Sequence, residues 1–166
     1  VHECLAKFLG KHLQEKLPKY DFAVLWEELK QEFQNLCDEY IANGKLLQNE
    51  LWGAEQKRLL NMLHKWLRYE YDMQGKWDFV PCAVEWAFNN KEGAPLRLKL
   101  EDGQKFAIMG RVDRIDKNGD KVFVTDYKLG SVPAVDDLPN GVDLQLPIYL
   151  LAANKLYGKE VAGGGY

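Results

Sequence analysis

The chain has 166 residues, 46% of them hydrophobic and 12% aromatic, with a formal charge of −3 and a pI near 5.7. That length supports one sizeable core, and the slight acidity excludes a protein that coats nucleic acid or anionic lipid with its whole surface. Cys4, Cys37 and Cys82 are odd in number and lack CxxC spacing, which argues against a disulfide framework or closed zinc site and for a reducing, cytoplasmic setting.

Apolar residues Leu5, Phe8, Leu9 and Leu13 recur at helical spacing, so a first helix is expected from Val1 to about Leu17, where Pro18 ends it. Asp21 reads as the N-cap of a second helix that buries Phe22, Leu25, Trp26, Leu29, Phe33 and Leu36 and stops at Asn43-Gly44. A third helix is expected from about Ala54 to Gln74, on Leu59, Leu60, Leu63, Trp66 and Leu67.

Beyond Gly75 the period shortens toward two. Strands are expected at Phe79–Phe88, Leu96–Leu100, Lys105–Asp116 and Lys121–Leu129. Asp102-Gly103 and Asn118-Gly119 supply the turns, so the strands read as an antiparallel meander. Gly130–Gly141 reads as a loop, Leu144–Leu156 as a closing helix with Pro147 in its first turn, and the terminal AGGGY as a glycine-rich turn leading onward. The absence of an initial Met and this ending suggest a fragment of a longer polypeptide. No apolar run reaches the ~20 residues of a bilayer span, and no membrane partner is expected. The whole is read as one domain, residues 1–166, with a helical part (1–75) and a part of strands plus closing helix (76–166).

The segment VTDYKLG carries the chemistry. Side chains alternate along a strand, so Val122, Val124, Asp126 and Lys128 share a face, as do Met109, Arg111, Asp113 and Ile115 on the preceding strand. The hairpin thus brings Asp113 toward Asp126 with an ammonium close by. Two carboxylates held together are costly unless a cation intervenes. A hard divalent ion would relieve that cost, and Lys128 would be left to orient a water or offset charge on a phosphate. The alternative is structural: Asp126 pairs with Lys128, and Asp113 contacts Arg111 or Arg114.

His2-Glu3 on the first helix, Val84-Glu85 on the first strand, the run Gly110-Arg111-Val112-Asp113-Arg114-Ile115-Asp116, then Asp126-Tyr127-Lys128-Leu129-Gly130 and Gln145-Leu146-Pro147-Ile148-Tyr149 follow in an order that resembles the PD-(D/E)xK nuclease superfamily. Within it the chain is similar to the RecB-like nuclease domains of bacterial helicase–nuclease complexes, the AddB type among them. The resemblance implies an α+β, restriction-endonuclease-like core: a mixed, mostly antiparallel sheet of four to five strands flanked by helices, with an inserted helical segment. It implies a metal-dependent DNA exonuclease acting in double-strand break repair and recombination, on single-stranded ends delivered by a helicase–nuclease partner subunit.

By the same resemblance Asp113 and Asp126 bind Mg²⁺ or Mn²⁺ with His2 and the backbone carbonyl of Tyr127, and Lys128 is the catalytic lysine. Glu85, Arg111, Gln145 and Tyr149 would support the site or touch DNA. Relatives carry iron–sulfur cysteines, one before and three after these motifs. Cys4, Cys37 and Cys82 do not match that spacing, so no cluster is expected in this fragment, though the parent protein has room for one. Readings from other classes are a non-catalytic DNA-binding or scaffolding domain of the same fold and a Cas-four-like exonuclease.

Overall fold

A computed structural model describes residues 1–130 and 143–166, so the expected loop at Gly130–Gly141 lies, apart from Gly130, outside the described residues. These residues form two compact units, Val1–Val80 and Pro81–Tyr166.

The first unit is helical. Helix α1 (His2–Lys11) buries Cys4, Leu5, Phe8 and Leu9. It is shorter than its periodicity suggests: the chain turns at His12, Gln14 adopts a left-handed φ of 65°, and Leu17–Lys19 form a separate 3₁₀ turn around Pro18. Helix α2 (Phe22–Ala42) starts where Asp21 accepts hydrogen bonds from the amides of Ala23 and Val24, and ends beside Gly44 at φ 67°. Helix α3 (Trp52–Lys76) extends both ends of the expected helix and buries Leu63 and Leu67. Buried Gln74 joins the pieces: its amide donates to Glu70 Oε1 at 2.8 Å, and its Oε1 accepts from the Leu17 amide at 2.7 Å. Of these described helices, none is long and apolar enough to cross a membrane.

The second unit is built on a mixed sheet in the order β1-β4-β5-β6, with strands β1 (Val80–Phe88), β4 (Gly110–Asn118), β5 (Lys121–Thr125) and β6 (Glu160–Gly165). Strands β2 (Leu96–Lys99) and β3 (Lys105–Ile108) pair with each other as a separate antiparallel ribbon. The architecture is α+β, as expected, but four details differ from the expected meander. The run Lys105–Asp116 breaks at exposed Met109, β5 stops at Thr125, the β2–β3 ribbon stands apart, and the terminal glycines form a strand rather than a turn.

That last strand pairs in parallel with β5, which is possible because helix α4 (Gln145–Ala152) and the π-helical turn Ala153–Tyr157 carry the chain back across the sheet. The glycines are there for space. A Cβ at Gly164 would stand 2.8 Å from Leu150, 3.0 Å from Leu146 and 3.0 Å from the Val124 carbonyl. Phe88, Leu96, Val112, Ile115, Val122, Val124, Leu146, Ala152 and Ala153 make the core beneath the site.

Candidate active site

The β4–β5 hairpin pairs Asn118 with Lys121 and turns through Gly119 and Asp120, with Gly119 at a φ of 57° in the first turn position, one residue beyond the expected Asn-Gly centre. Its antiparallel register pairs Arg114 with Thr125 and Ile115 with Val124. Asp113 and Asp126 come next after the Arg114–Thr125 pair, one on each side, so the antiparallel order carries them toward each other just beyond the end of β5. The face they share begins with Val122, Val124 and Ile115, all fully buried, and ends in charge. Asp126 is only 2% exposed, an expensive place for a carboxylate without partners.

It has them. Lys128 Nζ lies 2.6 Å from Asp126 Oδ2, and Gln145 Nε2 donates to Asp126 Oδ1 at 2.9 Å. The Gln145 carbonyl oxygen accepts from Lys128 Nζ, and its amide nitrogen also reaches the Tyr149 hydroxyl at 3.1 Å. Gln145 and Tyr149 meet because they lie one turn apart on α4, whose Leu146 is anchored in the core. Burial pulls the Lys128 pKa down, but the hydrogen bond and charge of Asp126 outweigh it, so the ammonium is held above its ordinary range.

Tyr127 is fixed on both of its sides. Its amide donates to Asp113 Oδ2 at 2.7 Å, while its hydroxyl, on the other face, accepts from Arg114 Nη1 at 3.1 Å. Arg114 also grips Asp116 through Nε at 2.9 Å and Nη2 at 2.6 Å, with both residues nearly fully buried. The aspartate–tyrosine–lysine order therefore sends Asp126 and Lys128 to one face and uses the intervening tyrosine as the pin.

Glu85 and Arg111 meet each other at 3.4 Å, and Arg111 also reaches Glu92 at 3.5 Å. Glu85 sits within β1 at a left-handed φ of 50°, a strained position for a side chain with a Cβ. His2 opens α1, in the first unit. Two residues escaped the sequence reading. Asp143 accepts from the Gln145 amide at 2.8 Å and from the Tyr166 hydroxyl at 2.9 Å, and the Tyr166 ring lies 5.4 Å from Lys128 Nζ, within cation–π range. Asp143 was legible as a helix-start acid, whereas nothing around the terminal tyrosine signals its position.

The Asp113 and Asp126 carboxylates, with Lys128 against Asp126, form an oxygen-rich spot whose donor chemistry fits a small divalent cation. Among the described residues no group of three or more His, Cys, Asp or Glu side chains is gathered to hold a metal. Such an ion would therefore rely on carbonyl, water or substrate oxygens as well, as Mg²⁺ commonly does.

The model of the PD-(D/E)XK nuclease superfamily matches residues 1–166. The chain belongs to that superfamily. It is 31% identical to an ATP-dependent helicase/deoxyribonuclease protein of Carboxydothermus hydrogenoformans over 99% of its length, which is 16% of that relative. The proteins of the same name from Clostridium tetani (28% identity, 90% of the chain, 14% of the relative) and Alkaliphilus oremlandii (28%, 99% and 15%) are also similar. The chain thus spans about a sixth of the length of these relatives. PD-(D/E)XK nucleases generally use divalent metals, which agrees with the donor chemistry of Asp113 and Asp126.

Proposed function

We propose that this nuclease-superfamily chain is a single catalytic domain that hydrolyses DNA phosphodiester bonds, acting as an exonuclease on single-stranded ends. The observation that carries the reading is the juxtaposition of Asp113 and Asp126 with Lys128 held against Asp126. Asp113, Asp126 and the Tyr127 carbonyl would hold Mg²⁺ or Mn²⁺, and His2 joins them on the strength of the family's motif order alone. When bound, such a cation supplies charge relief on the phosphate and a more acidic water.

The protein's own groups do the rest. Lys128 stays protonated and places a positive charge where a non-bridging phosphate oxygen gains negative charge. Gln145 fixes both Lys128 and Asp126, so neither must reorganise when substrate arrives. Tyr149 and Tyr127 hold Gln145 and the strand end. The relatives are named as helicase/deoxyribonuclease subunits, which supports a place for this chain in a larger helicase–nuclease; on our reading a helicase partner feeds it the strand during break repair, and three free cysteines suit a reducing cytoplasm.

The test is calorimetric titration of Mn²⁺ or Mg²⁺ into the wild type and the Asp113→Ala and Asp126→Ala variants, with digestion of labelled single-stranded DNA by the same samples. Metal binding lost in both variants, together with metal-dependent cleavage by the wild type, is expected. Absence of metal binding by the wild type would overturn the reading in favour of a non-catalytic scaffold.

A further inference from the structure

The β2–β3 ribbon has no place in the chemistry above, yet its two faces differ sharply. Leu96, Leu98 and Ile108 pack on the core. By alternation, Arg97, Lys99, Lys105 and Ala107 point the other way, and all four are exposed. The register sets Lys99 directly across from Lys105 and Arg97 across from Ala107. Like charges directly opposed on a sheet are destabilising, so this arrangement is a cost to the fold in the absence of an anion.

None of the three cations is paired with a carboxylate among the described residues. The nearby acids lie in the turn, where Asp102 Oδ1 accepts from the Gln104 amide at 2.9 Å. The ribbon borders a groove of about 420 Å³ lined by Arg97, Leu98, Lys99, Lys105, Phe106 and Ala107, without an acid. Phe106 pairs with Leu98 in the register, yet it is 40% exposed and lines this groove beside the cations. Cations along a groove with an accessible aromatic ring are the composition that binds single-stranded nucleic acid: charge tracks the phosphates and the ring stacks a base.

We infer that the groove along the β2–β3 ribbon is a binding surface for single-stranded nucleic acid, with Arg97, Lys99 and Lys105 on backbone phosphates and Phe106 against a base. The inference rests on the nuclease reading only for the identity of the polyanion as a nucleic acid strand. The surface lies outside the Asp113, Asp126 and Lys128 constellation, so binding and cleavage are separable.

The experiment is fluorescence anisotropy with a labelled oligothymidylate in chelator, over a range of KCl concentrations. Each phosphate contact contributes about 0.7 to the slope of log affinity against log salt for single strands. Replacing all three cations (Arg97→Gln, Lys99→Gln, Lys105→Gln) is therefore expected to reduce the slope by about 2. Arg97→Lys should keep it, and Phe106→Ala should weaken binding about tenfold at unchanged slope. A Lys155→Gln control, on an exposed cation of the π-helical turn, should leave it intact.

A triple variant with the wild-type slope would overturn the inference, as would equal loss in the Lys155 control. Loss of binding to phosphatidylserine vesicles with the oligonucleotide slope unchanged would overturn it in favour of a membrane surface. If the slope falls as expected but the wild type never cleaves DNA with metal, the ribbon assignment stands and only the nuclease reading fails.

Discussion

Gln145 donates to Asp126 across 2.9 Å while its carbonyl oxygen accepts from Lys128, so one amide holds the buried acid and the ammonium in register. Gln145→Glu would place a third negative charge in this cluster, and Gln145→Leu would remove both contacts. Both variants are expected to lower kcat by about 10- to 100-fold with a smaller change in KM, because the positioned groups act on the transition state. Steady-state kinetics on a short single-stranded substrate checks this, and an effect on KM alone would point to a DNA contact instead.

Asp126→Ala and Lys128→Ala should separate two roles. Each is expected to lower cleavage by at least about 100-fold, but Asp126→Ala should also weaken metal binding, whereas Lys128→Ala should not. Calorimetry and digestion on the same samples read both. Wild-type cleavage rates in the two variants would remove these residues from the mechanism.

The Arg114–Asp116 pair is a structural liability if halved. With Asp116 at 1% and Arg114 at 3% exposure, Asp116→Ala removes two buried, charge-assisted hydrogen bonds of Arg114 and should cost about 1–3 kcal/mol. Chemical denaturation gives the figure. Tyr127, held by the same arginine, should then lose its pin, so the variant is also expected to lose activity.

Close packing of the last strand predicts that Gly164→Val destabilises the fold by about 1–3 kcal/mol, since the added carbons meet Leu150, Leu146 and the Val124 carbonyl at contact distances too short to keep. Gly110→Ala should behave likewise against the Phe88 ring, 2.6 Å from its Cβ. Gly130→Ala, with nothing near the added Cβ, is the control. Thermal melts of the three variants compare them directly.

The Asp143–Tyr166 contact gives a pH signature. Asp143 is held below its ordinary value, first by the Gln145 amide and then by the Tyr166 hydroxyl. Its contribution is therefore present above the usual carboxylate pKa and lost as pH falls through the lowered folded value. Tyr166 is pushed up to about 12 by burial and then by Asp143, so its contribution is complete below the ordinary tyrosine value and fades as pH rises through the folded one. The stability gap between wild type and Tyr166→Phe should hold at neutral pH and shrink at both extremes. A gap that stays constant from strongly acidic to strongly alkaline pH would show that the contact contributes nothing.

The sequence by itself determined the second and third helices, the start of the first, a hairpin near Gly119 and the face that carries Asp113, Asp126 and Lys128. Each of these follows from local rules: helical or strand period, a capping acid, a turn residue with positive φ. That Asp113 and Asp126 share a face was legible from strand parity, but their register was not: Asn118 pairs with Lys121 as a strand residue, and the turn at Gly119-Asp120 fixes the alignment. The glycine-rich end defeated the same rules, because poor strand propensity was overridden by the need for a backbone thin enough to pass beneath Leu146 and Leu150. Only tertiary structure decided that this strand joins the sheet in parallel, that Tyr166 reaches Lys128 and Asp143, and that Gln145 bridges acid and base. These contacts join residues 17 to 38 positions apart, and no local pattern encodes a distance that only packing sets.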